Sequence, residues 1–321
     1  MKRSFFNISK SFARQISVDN YCRITGRKQI LPFYHTVFRE KKPHFSNIGY
    51  SRSYSRFVED LDFLTANFEN IPVEKIGEGS AGFHLTFDDG MSEIYHVIAP
   101  LLLERKLDAT FFITADFLDN KTMFRSHKIS LILSEMNNSA HNRTKVAGFL
   151  NCSENQIEKE IYSQKNKTDE IADLIQLSFK DYLQEEKPYC STAQIIELKK
   201  MGFNIGNHSR THRNFNTLNF EQQKEEIVSV NRFLKELGTK ELYFCFPYGD
   251  HQIKNELFEW MYQEGGISKS FGISGIKPDD FPKHHHRVLM EYEELSGEEI
   301  ITSEYLLFAI KSLVRQNRVS R

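Results

Sequence analysis

The sequence predicts an α/β fold built on a parallel sheet, and three observations carry that expectation. Short apolar runs rich in aromatic and β-branched residues recur along the chain. Longer stretches with apolar residues at helical spacing lie between them. No internal repeat, Pro-rich or Gly/Ser-rich linker or low-complexity tract divides the 321 residues, so one elaborated domain is expected rather than two joined ones. Strands that alternate with helices pair in parallel, but alternation alone leaves open whether the sheet is doubly wound or closed as a barrel.

In chain order the expected strands are Ile30 to Tyr34, Phe83 to Phe87, Ala109 to Ile113, Phe203 to Ile205, Leu242 to Phe246 and Ser270 to Ile273. Met91 to Arg105 has the spacing of a helix. Ser191 and Gln194 stand in capping-box relation before a helix reaching Lys200. Asn219 and Gln222 repeat the device before a long amphipathic helix that runs to about Leu237 and stops at Gly238. Residues 118–187 are polar and rich in Asn, Lys and Glu, with amphipathic patches at Ile129 to Leu133 and Ile171 to Leu177. They read as a helical insertion between two strands, serving either as a solubilising excursion or as a lid or substrate-selecting wall. The expected organisation is thus an extension over 1–29, a main domain over 30–295 and a C-terminal helix over 296–321.

Composition narrows the function. Lys plus Arg number 42 against 43 Asp plus Glu, so no overall field favours nucleic acid or anionic lipid, and no nucleic-acid partner is expected. The four cysteines, Cys22, Cys152, Cys190 and Cys245, form no CxxC pair and read as free thiols. The basic N-terminus starts like a signal peptide, but polar residues interrupt each apolar run too early, and no stretch has the roughly 18 to 20 apolar residues of a membrane helix. A cytoplasmic protein is expected. A poorly ordered tail is preferred for the first 30 residues over a surface-lying helix that would give peripheral membrane contact.

Three segments carry chemistry. Asp88 and Asp89 follow an apolar strand and precede Gly90, whose backbone freedom permits a sharp turn at the strand end. Two adjacent carboxylates repel unless one is neutralised, so a cation bound by one partner leaves the other free as a base. His208 and His212 lie four residues apart, which on a helical turn would bring both imidazoles to one ion. With one carboxylate they make a set that suits zinc first, with iron, cobalt or nickel fitting the same ligands. Pro247, Tyr248 and Gly249 form a turn at a third strand end, where the Tyr248 N–H would face an oxyanion.

Together the three resemble the motifs of the polysaccharide deacetylase family, also called the NodB homology domain or carbohydrate esterase family four. Thr86 to Gly90 reads TFDDG, His208 to His212 reads HSRTH, and Phe244 to Gly249 resembles the third motif. The resemblance covers roughly residues 30–290 and implies a distorted (β/α) barrel with a helical insertion. It further implies a metal-dependent hydrolase that removes an N-acetyl group from an amino sugar of a polysaccharide, oligosaccharide or lipid-linked glycan. Asp88 would be the base, and Asp89, His208 and His212 the metal ligands. LPFYHTV and SRFVEDLDFL further resemble the branch of poly-N-acetylglucosamine and cell-surface glycan deacetylases.

Two departures stand out. Cys245 occupies the place of the arginine that steadies the base in many relatives, so Arg287 is the candidate for that task. The late motif with the general acid is not evident; His284, His285 and His286 offer candidates, with His285 taken as the acid and a solvated loop as the plainer alternative. The substrate-contacting set is taken as Pro247, Tyr248, Arg287 and His35. Rival functions are hydrolysis of another linear or cyclic amide and a catalytically silent glycan-binding protein.

Overall fold

The computed structural model describes residues 2–164 and 166–321. Eight short parallel strands form the central sheet: β1 Pro32–Tyr34, β2 Leu85–Phe87, β3 Ala109–Ile113, β4 Asn204–Asn207, β5 Leu242–Cys245, β6 Ile267–Gly272, β7 His284–His286 and β8 Val288–Leu289. Their order is β8-β1-β2-β3-β4-β5-β6-β7, so the two edge strands are consecutive in the chain. His284 to His286 pair with β6, and Val288 and Leu289 then pair with β1. One segment therefore joins both edges and closes the sheet into a distorted barrel, with Arg287 at the crossover.

The six strands expected from the sequence are present, within two or three residues at their ends. A two-stranded parallel extension, Gln29–Ile30 with Gly82–Phe83, continues β1 and β2 below the barrel. β3 is buried at every position, as parallel strands covered on both faces are. Both expected capping boxes form, at Ser191/Gln194 and Asn219/Gln222. The helix expected over Met91 to Arg105 differs: Ile94–Ile98 is a π turn that leads into the α-helix Ala99–Glu104. Pro100 has no N–H to give to the preceding turn, and the wider spacing accommodates it.

Between β3 and β4 the chain makes a layer of helices, including Arg125–Asn138, Ala140–Leu150, Ile157–Ser163, Thr168–Leu174 and Phe179–Glu186. Ile129, Ile132, Met136, Val146, Ile161 and Ile171 give it a small core of its own. A second apolar cluster, with Phe45, Met91, Phe117, Phe124 and Tyr189, fastens it to the loops above the strands. Residues 2–30 pack on the domain, contrary to the preferred expectation of a poorly ordered tail. Helices Lys2–Ala13 and Val18–Thr25 lie against the C-terminal helix Gly297–Leu313, where Phe6 and Tyr21 are buried and Tyr21 stacks on Tyr305. Lys2 pairs with Glu304 and Arg14 with Glu298. Their basic charge, which resembled the start of a signal peptide or a surface-lying helix, is matched by acids of the last helix. No described helix is long and apolar enough to cross a membrane.

Arg52 and Asp60 form an ion pair with both side chains fully buried. Arg52 also donates to the carbonyls of Tyr292 and Leu295, and Tyr34 donates to Asp60 at 3.0 Å. Removing one partner strands the other in a dry interior. Asp60→Ala is therefore expected to lower stability by about 3 to 5 kcal/mol, as denaturant unfolding would show; a loss below about 1 kcal/mol would contradict this burial.

Candidate active site

Because all strands run in parallel, their C-terminal ends open on one rim, and the candidate residues collect there. Asp88 and Asp89 follow β2, His208 follows β4, Tyr248 follows β5 by a two-residue step, and His35 follows β1. The backbone at this rim is strained. Asp89, Ser209, His212 and Tyr248 all have positive φ, at 75°, 69°, 55° and 59°. Non-glycine residues avoid this region, and a cluster of them marks a place where function overrides local preference.

Asp89 Oδ1 lies 3.4 Å from His208 Nε2 and 3.2 Å from His212 Nε2. His208 Nδ1 is 2.9 Å from the Cys245 carbonyl, which can only accept, so Nδ1 carries a proton and Nε2 faces the carboxylate. Burial lowers the His212 pKa, opposed by the nearby Asp89 charge, so its ring favours the neutral form. Asp89 Oδ1 is buried without a hydrogen-bond donor. Two imidazole nitrogens around one donor-starved carboxylate oxygen is the arrangement a cation completes, and this donor set fits a divalent metal.

The HSRTH segment is not a helical turn, which corrects the geometry assumed from the spacing. It is a loop with left-handed residues at Ser209 and His212. Side chains hold it: Asn207 accepts from the Ser209 N–H at 2.7 Å, Ser209 Oγ from the His212 N–H at 3.0 Å, and Glu226 from the Thr211 N–H at 2.8 Å. The imidazole centroids end 5.0 Å apart.

Asp88 faces inward. Arg287 donates to both of its oxygens at 2.7 Å, and the guanidinium lies over the Phe33 ring inside the barrel. Burial would raise the Asp88 pKa, but Arg287 holds it below the ordinary carboxylate range. Arg287 donates also to Cys245 Sγ, which stands beside Asp88. Arg287 thus steadies the base candidate across the barrel. Being fully buried, it does not contact substrate as the sequence suggested. Pro247 is buried too, and stiffens the turn that presents Tyr248. Tyr248 is 65% exposed, with its ring centroid 4.8 Å from that of His212. Among the described residues none accepts from the Tyr248 N–H.

His285 is placed away from this rim, against the expectation that it is the acid. Its ring lies near Phe271 and beside the Cα of Gly77, at the opposite end of the barrel. Strand alternation explains this: His284 and His286 point outward, and His285 points inward two residues below Arg287, whose long side chain alone reaches Asp88. His35 takes a different position. The Asp88 N–H donates to the Tyr34 carbonyl, which sets His35 beside the acid pair. Its Nδ1 is 2.5 Å from Glu291, whose other oxygen accepts from the His35 N–H. Burial opposes the imidazolium, but Glu291, with further help from Asp89 and Asp88, raises its pKa to about 9. Glu291, Glu226 and Asn207 were not singled out in the sequence. Glu291 opens the run EYEEL, where acids read as a solvated surface.

A closed parallel barrel with a carboxylate–imidazole cluster at its C-terminal rim has that cluster where barrel enzymes carry their active sites. A family model described as polysaccharide deacetylase matches residues 78–259, more than half of the chain, and the protein belongs to that family. Its members' chemistry is the removal of N-acetyl groups from glycans, which makes this chain a hydrolase of that kind. Solved structures agree on the fold. IcaB from Ammonifex degensii is 19% identical with a TM-score of 0.56, covering 88% of this chain and 97% of that one. The deacetylase PplD from Streptococcus pyogenes, in complex with acetate, is 12% identical at 0.55, with coverage of 86% and 98%. BC0361, a polysaccharide deacetylase from Bacillus cereus, is 14% identical at 0.54, with coverage of 86% and 69%. No curated protein matches the chain.

Proposed function

We propose that this protein is a metal-dependent carbohydrate N-deacetylase that cleaves the acetamide of an amino sugar in a glycan of the cell-surface type. One observation carries the reading: a donor-starved Asp89 oxygen lies between two imidazole nitrogens, with a second carboxylate clamped next to it. Asp89, His208 and His212 would hold the ion, zinc by preference. When bound, such an ion acidifies a water and polarises a carbonyl.

The remaining steps belong to the chain. Asp88, fixed by Arg287 and kept ionised, accepts the proton of the attacking water. The Tyr248 N–H donates to the oxygen that becomes negative when the carbonyl turns tetrahedral. His35, held protonated by Glu291, delivers a proton to the sugar nitrogen as the C–N bond breaks, so that acetate and a free amine leave. The exposed Tyr248 ring and Phe124, whose ring meets His212 edge-on at 4.8 Å, give a sugar two apolar walls. Phe124 begins the helical insertion, so the insertion acts as a wall of the site. The resemblance of LPFYHTV and SRFVEDLDFL to the poly-N-acetylglucosamine branch makes it the first substrate class to assay. Acetate release from N-acetylated oligosaccharides and lipid-linked sugars, with and without chelator, tests the reading; equal release after chelation would overturn it.

The acid assignment has its own test. His35 must be protonated to act, so kcat is expected to fall as pH rises through a limb no higher than about 9, and a cation at Asp89 would move that limb down. Glu291→Gln removes the charge that raises the His35 pKa and should shift the limb to lower pH. An unmoved limb would exclude His35 as the acid.

A further inference from the structure

We propose that Asp250, Asp279, His284 and His286 form a second divalent-cation site, on the outer face of the barrel, with Arg321 as the counter-charge that a bound ion displaces. One donor atom from each residue lies within 4.8 Å of the others, and all four side chains are buried. Two carboxylates and two imidazoles suit zinc or cobalt, and closing such a set to tetrahedral distances needs only side-chain motion of about an ångström.

The details favour a cation. Asp250 Oδ1 is fully buried, has no donor and points at His286 Nδ1, 4.0 Å away. A Cβ on Gly272 would strike both that oxygen and the His286 ring, so glycine leaves the space between them open. His284 is oriented as metal-binding imidazoles are: its Nδ1 is 2.7 Å from Ser270 Oγ, itself 2.5 Å from the Tyr262 hydroxyl, which turns Nε2 toward Asp250 at 3.3 Å.

Arg321 now fills the electrostatic role. It donates to Asp279 at 2.8 Å and to the Asp250 carbonyl at 2.7 Å, contacts the Asp250 carboxylate, and lies over the Phe258 ring. The two buried carboxylates share this guanidinium, with imidazole contacts from His284 and His286, whereas a divalent ion would offset both charges. A cavity of about 410 Å³, lined by Asp279, His284 and His286 among others, gives an ion a way in.

The test uses the full chain with His208→Ala and His212→Ala, which takes both ligand imidazoles away from the rim site. Equilibrium dialysis against zinc should find one equivalent retained. Adding Arg321→Ala should tighten it at least tenfold, and adding Asp250→Asn with His284→Gln should remove it. Thermal unfolding of each variant with and without zinc guards against misfolding, because only a folded site raises Tm on zinc addition. The proposal is overturned if neither the double variant nor its Arg321→Ala form binds zinc. It is equally overturned if the zinc bound is indifferent to Asp250→Asn and His284→Gln, in which case the cluster is an internal ion-pair lock.

Discussion

Asp88→Asn is expected to keep its metal and lose about 10² to 10⁴ in kcat, the usual contribution of a positioned base. The amide of Asn matches the carboxylate in shape but has no basic oxygen to take the proton of water. Arg287 lies at 2.7 Å from both Asp88 oxygens, so the substitution also places an NH₂ against a guanidinium donor. Some loss of stability should accompany the loss of rate. Metal content separates this variant from a ligand variant: it should match that of the unaltered protein, because Asp89, His208 and His212 are untouched. Substantial turnover by Asp88→Asn would move the base elsewhere.

Asp89→Ala is expected to remove both metal and acetate release, down to the background of the chelated protein. The carboxylate is the only anionic member of the proposed ligand set, and without it only the two imidazoles remain of that set. Their mutual distance is set by the loop that Asn207 and Glu226 hold, so the fold should survive. Burial of Asp89 opposes its ionised form, and His212 and His208 pull its pKa well below the ordinary value. The folded state thus stabilises this carboxylate on balance, and its removal should also cost some thermal stability without unfolding the chain. Metal analysis beside a thermal melt checks both statements; a fully metallated, active Asp89→Ala would overturn the ligand assignment.

Much of this arrangement was legible in the sequence where burial is achieved with apolar residues. LTF, ATFFI and LYFC announce strands because parallel strands in a barrel are covered on both faces. The strand that closes the barrel was not legible, since HHHRV has no apolar run. His284 and His286 are buried against Asp250, Asp279 and Arg321, and polar burial of that kind depends on partners far away in the chain. The same cause moved His285 from the expected acid to the far end of the barrel. TFDDG and HSRTH were readable because each set of functional side chains is local to one strand end. His35 and Glu291 are 256 residues apart, and nothing near either one signals the other. The N-terminal segment was misjudged for a related reason: its basic residues find acids on the final helix, a pairing that only the fold supplies.

Anomalous diffraction at the absorption edge of the bound metal tests the central claim most directly. The account predicts a peak bonded at about 2.0 to 2.2 Å to one Asp89 carboxylate oxygen and to Nε2 of His208 and His212, with Asp88 close by but not coordinated. Crystals of active protein with no peak among these three residues would contradict it.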